Sequence, residues 1–461
     1  MPTPYIGNTR TSGLKDNLPF WLLVVLCFFP IMRFGVMSVA IIAFCLSCVI
    51  CYYPSIKDYL NELGWKPFLI QIGFFVLLVL SVSYSENTKN AFVQLQKAIP
   101  LAVLPWVFLY APPRIDRKRL HILFGAFIVA NLLFIAYLFQ YLVNYATDFA
   151  VTTSPGLILF EGLKDQGFLT QLKSLWDASF YETLYYAQQT VESKMYIHKT
   201  YASQSLVWCV LLVTYFLFSK GLKRPLKVLL GFLWVLCLVL IVYFYSLANL
   251  LLLLVILPAY VFFKLPSKKY RIGFVILLGL LSIALASLIN TKKNEIASDS
   301  YEAYTQYESP QFVFDNLVKM FANDDRNGIN QCNTALISSA PMLGYGFGDV
   351  QDKLDACYDD LKKNNLYDLN TAAQNLNPHN YYALLWIAGG ILAPLAFLFL
   401  LCYGLLIGFR NKDFLYLAFI LLVGANLLTE STLSRAYGVL FFALWNGLLF
   451  AKNIRSNKNE A

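Results

Sequence analysis

The strongest constraint on this chain is a succession of about twelve apolar runs, each long enough to cross a hydrocarbon core of about 30 Å. They lie near residues 18–34, 35–52, 68–84, 92–111, 120–141, 203–219, 225–245, 247–263, 271–290, 383–409, 413–430 and 436–451. Backbone immersed in lipid must satisfy its own hydrogen bonds, which leaves helices as the spanning form for runs of this length. Composition agrees: 58% of residues are hydrophobic and 14% charged, against about 25% charged in soluble domains. The expected fold is therefore all-α, a polytopic helical bundle forming a single integral membrane domain over residues 1–461. Within it, Pro100 and Pro105 interrupt the fourth run, and Gly389-Gly390 with Pro394 breaks the tenth. The polar stretch Met1–Asn17 has no cleavable signal pattern, so the first span is expected to stay in place.

Orientation follows from the short loops, because Lys and Arg mark the cytoplasmic side. Alternate loops are basic, with Arg114, Arg117, Lys118 and Arg119 in one, Lys220, Lys223, Arg224 and Lys227 in the next, then Lys264, Lys268, Lys269 and Arg271. Arg410 and Lys412, and finally Lys452, Arg455 and Lys458, continue the pattern. Both termini are thus expected inside, and the long connections 142–202 and 291–378 outside. The second is acidic, with 13 Asp/Glu against 7 Lys/Arg, and is expected to be mostly helical, between helices 9 and 10. The net charge of +9 follows this topology and so gives no reason to expect nucleic acid. Two long loops on one face suit an enzyme acting on an external polymer better than a transporter. The scarcity of intramembrane carboxylates and the lack of an evident inverted repeat point the same way.

Few residues are equipped for chemistry at the outer face. Of nine cysteines, only Cys332 and Cys357 share the large outer loop, where an oxidising compartment would permit a disulfide. Of three histidines, His121 sits among basic residues at an inner helix end and reads as an interfacial side chain. His379, in Asn377-Pro378-His379-Asn380-Tyr381-Tyr382, stands at the entrance to a span. There it would either accept a hydroxyl proton or serve as a helix-capping residue. His198 precedes Lys199-Thr200-Tyr201 at the end of the other long loop, and could meet His379 in one cavity, where binding or orienting suits it better than catalysis. Lys97, Arg326 and Arg435 also fall at the outer interface. Such cations often snorkel, but together they would suit a diphosphate whose lipid tail stays in the bilayer. The run Gly344-Tyr345-Gly346-Phe347-Gly348-Asp349 lacks the βαβ context of a nucleotide loop. It reads instead as a turn bringing backbone close to another segment. No Walker A sequence, metal-ligand cluster or Ser/His/Asp motif occurs.

These residues resemble the O-antigen ligase and polymerase superfamily of bacterial membrane glycosyltransferases. Arg326, then Ala340-Pro341-Met342-Leu343-Gly344-Tyr345-Gly346-Phe347-Gly348, then Pro378-His379-Asn380 and a Gly-rich span are similar to the family's outer loop and following helix. His198-Lys199-Thr200-Tyr201, Gln94-Leu95-Gln96-Lys97 and Thr429-Glu430-Ser431 to Arg435-Ala436-Tyr437-Gly438 look like further family segments. The resemblance implies transfer of a glycan from an undecaprenyl diphosphate-linked donor at the periplasmic face of the inner (cytoplasmic) membrane, with no cofactor, nucleotide sugar or required metal. In the ligase branch the acceptor is lipid A-core; polymerases and protein O-glycosyltransferases share the donor chemistry. His379 matches the catalytic His and Arg326 the loop Arg. Lys97 and Arg435 would bind diphosphate, while His198, Tyr201 and Asn380 would bind or orient substrate. One departure stands out: where the family shows Ser-Arg after the seventh span, this chain reads Ser246-Leu247-Ala248-Asn249, so either Lys97, Arg435 or another cation replaces that Arg, or activity is altered.

Overall fold

The computed structural model describes residues 14–149, 199–219, 221–243, 247–265, 267–273, 276, 324–363 and 376–460. Among them lie fifteen α-helices: α1 (Leu14–Leu26), α2 (Phe34–Leu63), α3 (Lys66–Ser81), α4 (Thr88–Ala98), α5 (Pro100–Tyr110), α6 (Arg117–Phe149), α7 (Lys199–Leu217), α8 (Arg224–Tyr243), α9 (Leu247–Lys264), α10 (Asp324–Ser339), α11 (Val350–Lys363), α12 (Tyr381–Gly389), α13 (Leu392–Arg410), α14 (Phe414–Asn426) and α15 (Ala436–Glu460). The chain is an all-α, multi-pass membrane protein. Eight described helical segments are long and apolar enough to cross a membrane, and three shorter apolar helices, Asn17–Leu26, Ala248–Lys264 and Phe414–Asn426, accompany them. Most of the ninth run, 271–290, lies outside the described residues.

Helix ends differ from the apolar runs for local reasons. The fourth run is two helices, α4 and α5, meeting at Ile99 and Pro100; proline has no N–H to give to the preceding turn. The tenth run is also two, α12 and α13. Gly390 caps α12 at φ +67°, and a Cβ there would strike the Met342 carbonyl. Helix α2 runs on beyond its apolar stretch to Leu63, where Gly64 ends it.

Two helices form the centre. In the most apolar window of α15, 94% of residues are buried, and in α7 83%, whereas α2 and α8 bury 33% and 22% and keep broad apolar faces outward. With no hydrophobic force between helices in lipid, polar links contribute to specifying the packing. Asn446 of α15 donates to Gln71 of α3 at 2.7 Å and accepts from Tyr416 of α14 at 2.9 Å. Ser205 of α7 donates to Asn131 of α6 at 2.9 Å.

The basic loops gather at one end, as alternation of the spans requires. Arg119 donates to Asn17, and Lys452 pairs with Asp413 at 2.7 Å. Lys264 lies over the Phe414 ring. Arg455, 4% exposed, caps α5 by donating to the carbonyls of Phe108 and Leu109, where the negative helix end favours a cation. Helices α10 and α11 dock at the opposite end.

Candidate active site

The glycine turn after α10 holds helices α10 and α11 against the bundle. Tyr345 N and Gly346 N donate to the Ile387 and Ala388 carbonyls of α12 at 2.7 and 3.0 Å. Phe347 N and Gly348 N donate to the hydroxyls of Ser81 and Ser85, each at 3.1 Å. A Cβ on Gly348 would collide with the Asn87 carbonyl, so only glycine permits this approach. Asp349, 2% exposed, then receives the backbone N–H groups of Glu86 and Asn87 at 2.8 and 2.6 Å, at the start of α4. With its amides committed to protein partners, the turn is a clamp, as its sequence suggested. Cys332 of α10 and Cys357 of α11 are disulfide-bonded, with Cα atoms 5.8 Å apart.

His379 sits in the segment this clamp supports. Its backbone is left-handed, φ +45°, a conformation that costs energy in a non-glycine residue and clusters at functional sites. Neighbours hold it there: His379 N donates to Asn377 Oδ1 at 2.8 Å, Asn333 of α10 donates to the Pro378 carbonyl at 3.0 Å, and Tyr381 N donates to the Leu427 carbonyl at 2.8 Å. Asn380 is the N-cap of α12, its Oδ1 accepting from Tyr382 N and Ala383 N. Capping therefore falls to Asn380, and Pro378 stands outside the helix.

The His379 ring meets a carboxylate. Its Nδ1 lies 3.1 Å from Glu430 Oε2, with side chains 25% and 15% exposed. With Glu430 ionised and the imidazole neutral, Nδ1–H donates to the carboxylate and the lone pair falls on Nε2. Glu430 is itself fixed by its N–H to the Asn426 carbonyl at 3.0 Å. The Asn426 amide donates to Asn249 Oδ1 at 2.6 Å, and Asn249 donates to the Thr200 carbonyl at 3.2 Å. Both amides are fully buried. Asn249, two positions after the Leu247 that stands where the family pattern has Arg, thus ties the start of α7 to the segment carrying Glu430.

A 3-10 turn, Thr432–Ser434, separates Glu430 from Arg435. Arg435 and Lys97 line one open cavity of about 440 Å³, together with Phe34, Met37, Ser38 and Ile41 of α2. Lys97 Nζ is 3.4 Å from Gln94 Oε1, and neither Asp nor Glu is among the lining residues. His379 does not line this cavity. Tyr201 is within electrostatic reach of both Glu430 and Arg435, its ring against Tyr437 and only 8% exposed.

Structure therefore joins Lys97 with Arg435, and His379 with Glu430, on either side of one short turn. Arg326 is in the first turn of α10, the helix whose Asn333 touches the His379 segment; its side chain, like all of His198, lies outside the described residues. Among the described residues, no group of three or more His, Cys, Asp or Glu gathers to hold a metal. Sequence reasoning overlooked Glu430 as a partner, although it is the sole acidic residue between Asp413 and Glu460 and stands at a helix end, where an isolated carboxylate is costly without a role.

Residues 232–398 match the family model described as O-antigen ligase. The match supports membership of the O-antigen ligase/polymerase superfamily and, with it, a glycosyltransferase-type enzyme working on lipid-linked glycans. It includes Arg326, the glycine clamp and His379, and leaves Lys97, Glu430 and Arg435 outside. No curated protein matches the chain.

Proposed function

With an O-antigen ligase-type segment as premise, we propose that this protein is an O-antigen ligase. It moves a surface polysaccharide from undecaprenyl diphosphate to lipid A-core at the periplasmic face of the bacterial inner membrane, with inversion at the anomeric carbon. The observation that carries this reading is the Glu430–His379 pair, with Nε2 left as an acceptor one short turn from the cavity bearing Arg435 and Lys97.

An acceptor sugar hydroxyl attacks the anomeric carbon, its proton passes to His379 Nε2, and the bond from that carbon to the diphosphate oxygen breaks. The lipid diphosphate leaves with both bonding electrons. Glu430 orients the imidazole and stabilises the imidazolium, while Lys97, Arg435 and Arg326 meet the charge that develops on the diphosphate. Preorganised charge is commonly the larger catalytic contribution, and a general base adds roughly 10²- to 10⁴-fold. Loss of Arg326 should therefore hurt at least as much as loss of His379. Asn380 supports the site by capping α12, Tyr201 packs against Tyr437 within electrostatic reach of Glu430 and Arg435, and His198 is assigned a substrate-orienting role.

The test is attachment of long polymer to lipid A-core in cells carrying His379→Ala or Arg326→Ala. The reading predicts its loss; normal attachment by well-expressed variants would sink it. A polymerase or protein O-oligosaccharyltransferase of the same superfamily would use the same donor site. A deletion strain separates them, because a missing ligase leaves lipid-linked polymer and a missing polymerase leaves single lipid-linked repeats.

A further inference from the structure

Between α10 and the glycine turn the chain forms an apolar tip, Pro341-Met342-Leu343. Met342 and Leu343 are each 69% exposed, in a connection whose sequence reads as a water-facing loop. The tip is not a loose turn. The Pro341 carbonyl accepts from Trp386 Nε1 at 2.9 Å and from Ile391 N at 3.1 Å, and the Leu343 carbonyl accepts from the Tyr84 hydroxyl at 2.5 Å. Backbone polarity is thus spent on α12, on the α12–α13 junction and on the 3-10 turn Val82–Tyr84 that follows α3. Two pinned apolar side chains remain uncovered.

Height along the bundle says what covers them. Gly64 belongs to the end that carries the basic loops, because Tyr110, which ends α5 just before Arg114, donates its hydroxyl to the Gly64 carbonyl at 2.7 Å. From Lys66 at that end, α3 reaches Leu78 after twelve residues, about 18 Å at the helical rise. There it meets the α12–α13 junction: a Cβ on Gly389 would stand 4.0 Å from Leu78 Cδ2, and the adjoining Gly390 touches the Met342 carbonyl. Helix α13 gives a second ruler, with eighteen residues from Arg410 back to Leu392, about 27 Å. Tilt only shortens these heights. Both rulers place the tip's backbone within a hydrocarbon core of about 30 Å rather than above it. Nearby along the same helices, Leu80 of α3 and Leu392 and Leu395 of α13 are more than half exposed, as lipid-facing side chains are. Trp386 and Tyr84, which hold the tip, are the amphipathic rings that concentrate where a bilayer meets water.

We infer that Pro341-Met342-Leu343 is a membrane wedge: it enters the leaflet remote from the basic loops, and the partner of Met342 and Leu343 is the upper acyl-chain region of phospholipid. The contact does not depend on the donor reading. It roots α10 in the bilayer at one end, while Asn333, farther back along that helix, holds the Pro378 carbonyl. The height of the His379 segment is thereby referred to the leaflet as well as to the bundle. Any protein segment covering the same two side chains would itself have to lie within the bilayer.

The test uses wild-type, full-length protein in phosphatidylcholine nanodiscs doped with a phosphatidylcholine that carries a diazirine either near the glycerol or at the acyl-chain end. The two photoreactive groups differ in depth by about 15 Å, half the core, so the near-glycerol probe should label residues 341–343 at least about fivefold more than the chain-end probe. Neither should label Lys363 of α11, whose side chain is 75% exposed. A photoreactive phenylalanine analogue in place of Met342 should cross-link to phospholipid. Absence of label from residues 341–343 while Leu392 and Leu395 are labelled overturns the wedge. Equal labelling of the tip and Lys363 overturns it too, since that pattern marks a loop lying over the membrane surface. Cross-links from position 342 to another part of this chain, or to a second copy, overturn lipid as the partner.

Discussion

Truncating Glu430 isolates the contribution of its contact with His379. The two groups meet at 3.1 Å with three quarters or more of each side chain buried, so the bond is charge-assisted and partly screened. Hydrogen bonds to charged groups contribute about 1.5–3 kcal/mol. If all of it is expressed in the transition state, where the imidazole becomes imidazolium, Glu430→Ala should lower kcat by roughly 10- to 100-fold at 1.36 kcal/mol per decade. Glu430→Gln keeps a neutral acceptor for Nδ1–H and should lose about tenfold. His379→Ala should lose about 10²- to 10⁴-fold. Because Glu430 acts through the imidazole, the double Ala variant should be no slower than His379→Ala alone. The assay is release of polyprenyl diphosphate from a lipid-linked glycan by purified full-length variants at saturating donor. Losses that multiply in the double variant, or a Glu430→Ala rate within threefold of wild type, would refute the positioning role.

Gly348→Ala should destabilise the protein by about 2 kcal/mol through overpacking against Asn87, read as a lower melting temperature. Gly125→Ala, where a Cβ meets nothing, should match or exceed wild type. Breaking the Cys332–Cys357 bond, which closes a loop of sequence separation 25, should cost about 3.5 kcal/mol; Cys357→Ser should abolish the mobility difference between reduced and non-reduced protein. At the end of the bundle that carries the basic loops, burial alone would raise the Asp413 carboxyl, but Lys452, Asn453 and the Tyr416 N–H outweigh it and hold it below the ordinary range. A depressed carboxyl gives stability that is present above its unfolded value, about 3.9, and lost as pH falls through the lower folded one. Asp413→Asn should therefore melt earlier than wild type at pH 7 and converge with it in acid; equal melting at pH 7 would contradict the ion pair's contribution.

The bundle was legible because apolar runs of spanning length leave one backbone solution, and the breaks at Pro100 and Gly390 show in the residues themselves. The glycine clamp was legible in kind: three glycines in five residues announce close approach. Its partners were not, because Ser85 and Asn87 lie more than 260 residues away and no local period encodes such a meeting. Glu430 was missed for the same reason, standing 51 residues from His379. Asn249 shows a subtler limit. The sequence exposed the lack of an Arg nearby, but only the fold reveals an amide chain from Thr200 through Asn249 and Asn426 toward Glu430. Lys97 and Arg435 were read from sequence as sharing one face suited to a diphosphate, but the cavity they line emerges only from the α4–α5 junction packing beside α2 and the start of α15.

The central claim is glycosyl transfer from a lipid diphosphate, and reconstitution tests it most directly. Purified protein in detergent, given a polyprenyl diphosphate-linked glycan and lipid A-core with no nucleotide or ion gradient, should release one polyprenyl diphosphate per glycan transferred. The new glycosidic bond should have inverted configuration, and His379→Ala should stop the reaction. Donor that remains intact, or that merely crosses the bilayer when the protein is placed in liposomes, would contradict the account.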